Sequence, residues 1–227
     1  MFVLKKSALA AAAAAVALVL LAGLCLSAVG AANTAPAAGF CVVLDAGHGG
    51  ADPGVRGVQT AVKESEINLA IVLRLAEYLE GAGFSVVLTR KDAGGLYGAL
   101  TDGYKKRDMQ ARREIIEAAS PNAVISVHQN SFPADRSRRG GQVFFRQGHA
   151  AGESLASSIQ GRLNALGGND FSPLRGDYYM LNCTDYPSVI VECGFLSNAE
   201  DERLLRTESY REQVAYAVFC GVLSFFA

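Results

Sequence analysis

The stretch Val43-Leu44-Asp45-Ala46-Gly47-His48-Gly49-Gly50-Ala51-Asp52-Pro53-Gly54 decides the fold. It grows out of an apolar run, Cys41 to Leu44, that reads as a buried strand. The run stops in glycines, which allow sharp turns and close backbone approach. One histidine, His48, stands at the strand's C-terminal end, where open α/β sheets place their chemistry. A histidine there is as readily an ordinary loop residue, so the rest of the chain has to decide.

Downstream, strands and helices alternate. A strand over Phe40 to Asp45 leads through a glycine-punctuated loop, Gly49 to Val62, to a helix from about Glu64 to Gly81. In that helix Ile67, Ala70, Ile71, Leu75 and Leu79 recur at helical spacing, and Gly81 and Gly83 end it. A strand follows at Ser85 to Thr89, then a loop from Arg90 to Tyr104. The next helix, Arg107 to Ala119, is closed by Pro121. A third buried strand, Ala123 to Val127, ends at His128-Gln129-Asn130-Ser131. Beyond the polar loop Phe132 to Gly141, Gln142 to Arg146 alternates as an edge or half-exposed strand does. Gly152 to Leu166 reads as a helix, Gly167 to Arg175 as irregular, and Tyr178 to Leu181 as a short strand. Ser188 to Glu192 is a buried strand ending at Cys193-Gly194-Phe195. Tyr210 to Phe226 is a closing helix that packs on the sheet. This alternation implies one α/β domain, with a mostly parallel twisted sheet covered by helices on both faces. No internal repeat is present.

Composition narrows the function. Lys5 and Lys6 are two of the 21 basic residues, and residues 1–32 hold no acid. The remainder has 19 basic against 22 acidic residues, a net charge of −3, which gives no reason to expect a nucleic-acid partner. The cluster Arg136-Ser137-Arg138-Arg139 reads as a solvated loop. Lys5 and Lys6 precede an apolar run, Ser7 to Ala28, of about 22 residues, long enough to span a bilayer. Small residues follow at Val29-Gly30-Ala31-Ala32. Residues 1–32 are therefore a signal peptide or an N-terminal membrane anchor, with the domain outside the cytoplasm. Residues 33–39 form a linker and 40–227 the domain. Membrane contact runs through the N-terminal segment alone. Five cysteines without a CxxC pair are neither a disulfide framework nor a zinc-thiolate site. Cys25 belongs to the leader, Cys41, Cys193 and Cys220 read as small core residues, and Cys183 lies in a polar loop. His149 reads as a surface histidine.

In a parallel sheet the strand ends share one edge, so His48, His128 and Glu192 converge there. Two histidines and a carboxylate are a catalytic zinc set that leaves a position open for water. The carboxylate ligand is either Glu192 or one from Lys63-Glu64-Ser65-Glu66. The one left over is the general base. Glu64 and Glu66 are equally readable as favourable charges in a helix's first turn. Glu192, inside an apolar strand, has to be buried or at a site, and an unpaired buried charge is costly.

The full set of motifs resembles the type-3 zinc-dependent N-acetylmuramoyl-L-alanine amidases. The matches are Leu44-Asp45-Ala46-Gly47-His48-Gly49-Gly50 with Asp52 and Gly54, then Lys63-Glu64-Ser65-Glu66-Ile67-Asn68-Leu69 and Leu88-Thr89-Arg90. Ile125-Ser126-Val127-His128-Gln129-Asn130-Ser131 and Pro187-Ser188-Val189-Ile190-Val191-Glu192-Cys193-Gly194-Phe195-Leu196-Ser197-Asn198 complete them. Ala46 departs from the proline usual there. The resemblance implies zinc-dependent hydrolysis of the amide between N-acetylmuramic acid and L-alanine in bacterial peptidoglycan. It implies His48, Glu64 and His128 as zinc ligands and Glu192 as the catalytic residue, with Asn68 marking Glu64 rather than Glu66. Asp45 is a candidate partner orienting a ligand histidine. A leader plus one catalytic domain resembles the germination-specific enzymes of spore formers, which help make muramic-δ-lactam in spore cortex; a vegetative amidase fits the motifs as well. An activating protein partner is left open. The competing readings are a zinc peptidase cutting within the stem peptide and a non-catalytic wall-binding or regulatory domain of the same fold.

Overall fold

A computed structural model of the protein describes residues 39–227. The leader at 1–32, with Cys25, and the linker up to residue 38 lie outside the described residues. Six strands form one sheet in the order β2-β1-β3-β6-β4-β5. They are β1 (Cys41–Ala46), β2 (Ser85–Leu88), β3 (Ala123–Asn130), β4 (Gln142–Phe145), β5 (Leu174–Arg175) and β6 (Ser188–Phe195). β2, β1, β3 and β6 run parallel; β4 is antiparallel to β6, and β5 runs with β4. The expected mostly parallel sheet is what forms. β1 has β2 on one side and β3 on the other, so the order reverses there and a crevice opens at the strands' carboxyl ends.

Helices cover both faces. On one side lie α1 (Glu64–Gly81), α3 (Ala150–Gly167) and α6 (Glu208–Phe226). Their apolar stripes join Val42, Leu44, Ile125 and Val191 in the larger core. α1 commits Ile67, Ile71, Leu75 and Leu79 to it, each at most 2% exposed. Each such aliphatic side chain contributes about 1.5–3 kcal/mol relative to exposure. On the other side, α2 (Tyr104–Ala119) and the single turn α4 (Tyr179–Asn182) cover Val43, Val124 and Ile190 with Ile116, Met180 and Leu181. Strand alternation then fixes the site: Asp45, Ser126, His128 and Glu192 continue the α2 side of their strands. Asp45 sits in register with Ser126, and His128 with Glu192. No helix among the described residues is long and apolar enough to cross a membrane.

Three expectations change. Tyr178 to Leu181 is not a strand: Tyr179–Asn182 forms a single helical turn that buries Met180 and Leu181. Leu181 N–H donates to Tyr178 O and Cys183 N–H to Tyr179 O, closing that turn. The segment read as irregular contains β5, which pairs with Phe144 and Phe145, so of the two readings of β4 the half-exposed strand holds and the edge strand does not. A further helix, α5 (Ala199–Leu205), follows Asn198, whose side chain accepts from Glu200 N and Asp201 N, both at 3.0 Å. His149 caps α3 by accepting from Gly152 N. In the 136–139 loop, Arg138 lies over the Phe132 ring.

Candidate metal centre

The strand β1 ends at Ala46, and Gly47 N–H still donates to Val127 O. His48 then turns into the left-handed region at φ +62°, a conformation that disfavours any residue with a Cβ. Its imidazole enters the crevice. Nε2 lies 3.3 Å from Glu64 Oε1, and Nδ1 lies 2.9 Å from Asp52 Oδ2. From β3, His128 presents Nδ1 at 2.9 Å from the same Glu64 oxygen. The two imidazole rings stand edge to face, 5.0 Å between centroids. His48, Glu64 and His128 each offer a ligand atom, all within 4.8 Å of one another. Two imidazole nitrogens and a carboxylate oxygen are a donor set that fits zinc.

Glu64 is 2% exposed at the first residue of α1. Oε2 accepts from Val55 N at 2.8 Å; Oε1 accepts from Gln129 N at 3.1 Å and Asn68 Nδ2 at 3.3 Å. Burial opposes its charge, but the two histidines outweigh that and hold its carboxyl well below the usual range. Burial likewise works against a charged His48, yet Glu64 and Asp52 push it up to about 9. The α1 N-terminus therefore delivers Glu64 inward, whereas Glu66 points out and pairs with Lys63 at 2.9 Å.

Glu192 stands beside His128 across the β3–β6 ladder. Its Oε2 is buried without a hydrogen-bond partner. Burial pushes its carboxyl up to about 7, with Glu64 adding to the rise and His128 and His48 opposing it. Its surroundings thus favour the protonated carboxyl, the opposite of those of Glu64.

Asp45 has a different place from the one expected. It bonds no histidine: its carboxylate accepts from Thr89 Oγ1 at 2.7 Å, Ser126 Oγ at 2.5 Å and the Arg112 guanidinium. Burial would raise its carboxyl, but Arg112, Ser126, His128 and Thr89 hold it at about 2. The carboxylate that meets His48 Nδ1 is Asp52, four residues on, which the loop bridge Gly49–Asp52 brings back. The sequence carried Asp52 inside the quoted motif but gave it no task. Arg112 was unreadable, because an arginine in a charged helix normally faces solvent.

Beside the histidines lies a cavity of about 280 Å³ whose lining includes Tyr97, Tyr104, Met109 and Met180. Two glycines let the cluster close. A Cβ on Gly47 would overlap the His128 ring, and one on Gly54, at φ +67°, would meet the Glu64 carboxylate and the His48 ring.

A parallel-sheet crevice with a metal-competent cluster and an unpaired carboxylate defines a single-domain α/β hydrolase. The sequence profile of the N-acetylmuramoyl-L-alanine amidases matches residues 42–224, and the chain belongs to that family. Its activity is that of an amidase of bacterial peptidoglycan. The germination-specific N-acetylmuramoyl-L-alanine amidase of Bacillus subtilis (strain 168) is 32% identical over 197 residues, covering 84% of this chain and 81% of that one. The solved CwlD amidase of Clostridioides difficile, in complex with the GerS lipoprotein, matches with a TM-score of 0.78 at 34% identity, covering 82% of this chain and 98% of that one. The catalytic domain of CwlV from Bacillus (Paenibacillus) polymyxa var. colistinus matches at TM-score 0.71 and 26% identity, covering 82% and 98%.

Proposed function

We propose that the domain hydrolyses the amide between N-acetylmuramic acid and L-alanine with one zinc ion held by His48, Glu64 and His128. The observation that carries this is the convergence of those three ligand atoms within 4.8 Å, next to a buried, unpartnered Glu192 Oε2. Zinc, when bound, supplies a Lewis acid that makes water a better nucleophile and polarises the amide carbonyl. Glu192 accepts the proton of the attacking water and returns it to the departing alanine nitrogen. A carboxyl that burial raises toward neutrality suits both transfers. Asp52 holds His48 so that Nε2 faces the centre, and Gln129 N–H and Asn68 hold Glu64 Oε1.

The likeness to a germination-specific amidase supports a role in spore cortex, with muramic-δ-lactam formed after the peptide is removed. The complex of CwlD with a lipoprotein supports a protein partner for this chain too. The domain acts outside the cytoplasm, delivered by residues 1–32 as signal or anchor. The test is digestion of purified peptidoglycan with mass analysis of the products. Release of intact stem peptides beginning with L-alanine, abolished by chelator and restored by zinc, is expected. Cleavage inside the stem would make the protein a zinc peptidase. Binding without products would make it a non-catalytic wall-binding domain.

A further inference from the structure

At the chain segment that carries His48, two buried guanidiniums take the backbone carbonyls of three consecutive residues. Arg112 Nη1 donates to Ala46 O at 2.9 Å, and its Nη2 to His48 O at 2.7 Å. Arg90 Nε donates to Ala46 O at 2.8 Å, and its Nη2 to Gly47 O at 3.1 Å and Ser65 O at 2.8 Å. Arg112 is 1% exposed and Arg90 4%. Both are costly to bury, and the neighbourhood answers that cost. Asp45 and Asp108 both pair with Arg112, the latter at 2.7 Å, whereas the N–H groups of Arg90 are met by backbone carbonyls. A core needs no such device for packing alone.

The three carbonyls belong to the segment where β1 leaves its ladder and His48 adopts φ +62°. A left-handed histidine reverts to an extended or right-handed form unless its surroundings hold it. The planar fork of Arg112 reaches Ala46 O and His48 O at once, across the peptide that must stay turned. Arg90 holds the carbonyl between them and ties it to Ser65, next to Glu64. The clamp thus fixes the imidazole of one ligand relative to the carboxylate of another.

We infer that Arg112, with Arg90, is a positioning residue that sets the metal affinity of the His48, Glu64 and His128 centre by holding the His48 backbone in its left-handed turn. This rests on the metal reading proposed above. Without the clamp, binding metal has to reorder the 46–48 segment first, so affinity falls while the loaded centre keeps its geometry.

The experiment is a chelator-competition zinc titration of the whole domain, with thermal unfolding of the metal-free protein and kcat at saturating zinc. Arg112→Lys keeps the charge between Asp45 and Asp108 but cannot span both carbonyls. It should bind zinc roughly 10- to 100-fold more weakly, the usual effect of losing a group that supports a ligand. Its kcat at saturating zinc should stay near that of the parent. Asp108→Asn, nearly isosteric, loosens the Arg112 fork more gently and should weaken zinc several-fold, so the reading stays testable if Arg112→Lys does not fold. Arg107→Lys is the control: Arg107, on the same helix, also gathers carbonyls (Tyr97, Ala99, Asp102) but none from the 46–48 segment. It should leave zinc affinity unchanged. Folded Arg112→Lys or Asp108→Asn proteins with parental affinity would overturn the clamp. So would an equal loss in Arg107→Lys, which would make the effect general loosening. A parent that binds no zinc at all refutes the metal reading itself, and the clamp with it.

Discussion

Replacing Glu192 by glutamine keeps the side chain's shape and removes its ability to accept a proton. If Glu192 is the acid/base, hydrolysis should fall by roughly two to four orders of magnitude while the metal stays bound. The structure adds a second, independent magnitude. The carboxyl is raised from 4.5 in an open chain to about 7 when buried beside His128. The fold therefore favours its protonated form, and stability declines as pH rises from 4.5 through 7. The difference corresponds to about 3 kcal/mol in the metal-free protein. Glutamine cannot ionise, so it escapes that loss, while its buried amide lacks a partner and costs about 1–3 kcal/mol. Glu192→Gln should thus be the less stable protein at pH 4 and gain on the parent by about 3 kcal/mol by pH 8. Denaturant unfolding of chelator-treated proteins at both pH values, alongside zinc content and peptidoglycan hydrolysis, tests both magnitudes. A stability difference that ignores pH would show that the buried carboxyl is not strained as described. If Glu192→Gln loses zinc while Glu64→Gln keeps it, the two glutamates have exchanged roles.

Gly47→Ala should displace His128 and weaken zinc binding by at least roughly tenfold, since the added methyl would clash with the imidazole ring; parental affinity would show that the loop gives way instead. Asp45 is held at about 2 against 3.8 unfolded. It contributes about 2 kcal/mol above pH 4 that is lost as pH falls toward 2. Asp45→Asn, which leaves buried Arg112 short of an anion, should lower stability by about 3–5 kcal/mol in urea unfolding at pH 7, and a change under 1 kcal/mol would contradict the paired-cluster account. Cell fractionation with N-terminal sequencing should find the domain outside the cytoplasm, either cleaved near Ala32 or membrane-bound with Met1 retained; a soluble cytoplasmic full-length chain would refute the reading of the leader.

Much of this was legible in the sequence because the chemistry sits where regular structure ends. Alternating strands and helices specify a parallel sheet, parallel strands share an edge, and His48, His128 and Glu192 each stand at such an end. Glu64 and Glu66 could not be separated by local pattern, since both suit a helix's first turn. The fold separates them: α1's inward face buries Glu64 against both histidines and leaves Glu66 with Lys63 at the surface. Asp45 shows the limit most clearly. Its place on a buried strand announced a partner, but its register opposite Ser126 leaves it two residues short of His128 along β3, and Arg112 and Ser126 take its oxygens instead. The task expected of it passes to Asp52 through a turn that only glycines permit. Arg112 carried no signal at all, because a helix's sequence does not say which of its arginines points inward. That is decided by which sheet face the helix covers, and here the face it covers ends in Asp45.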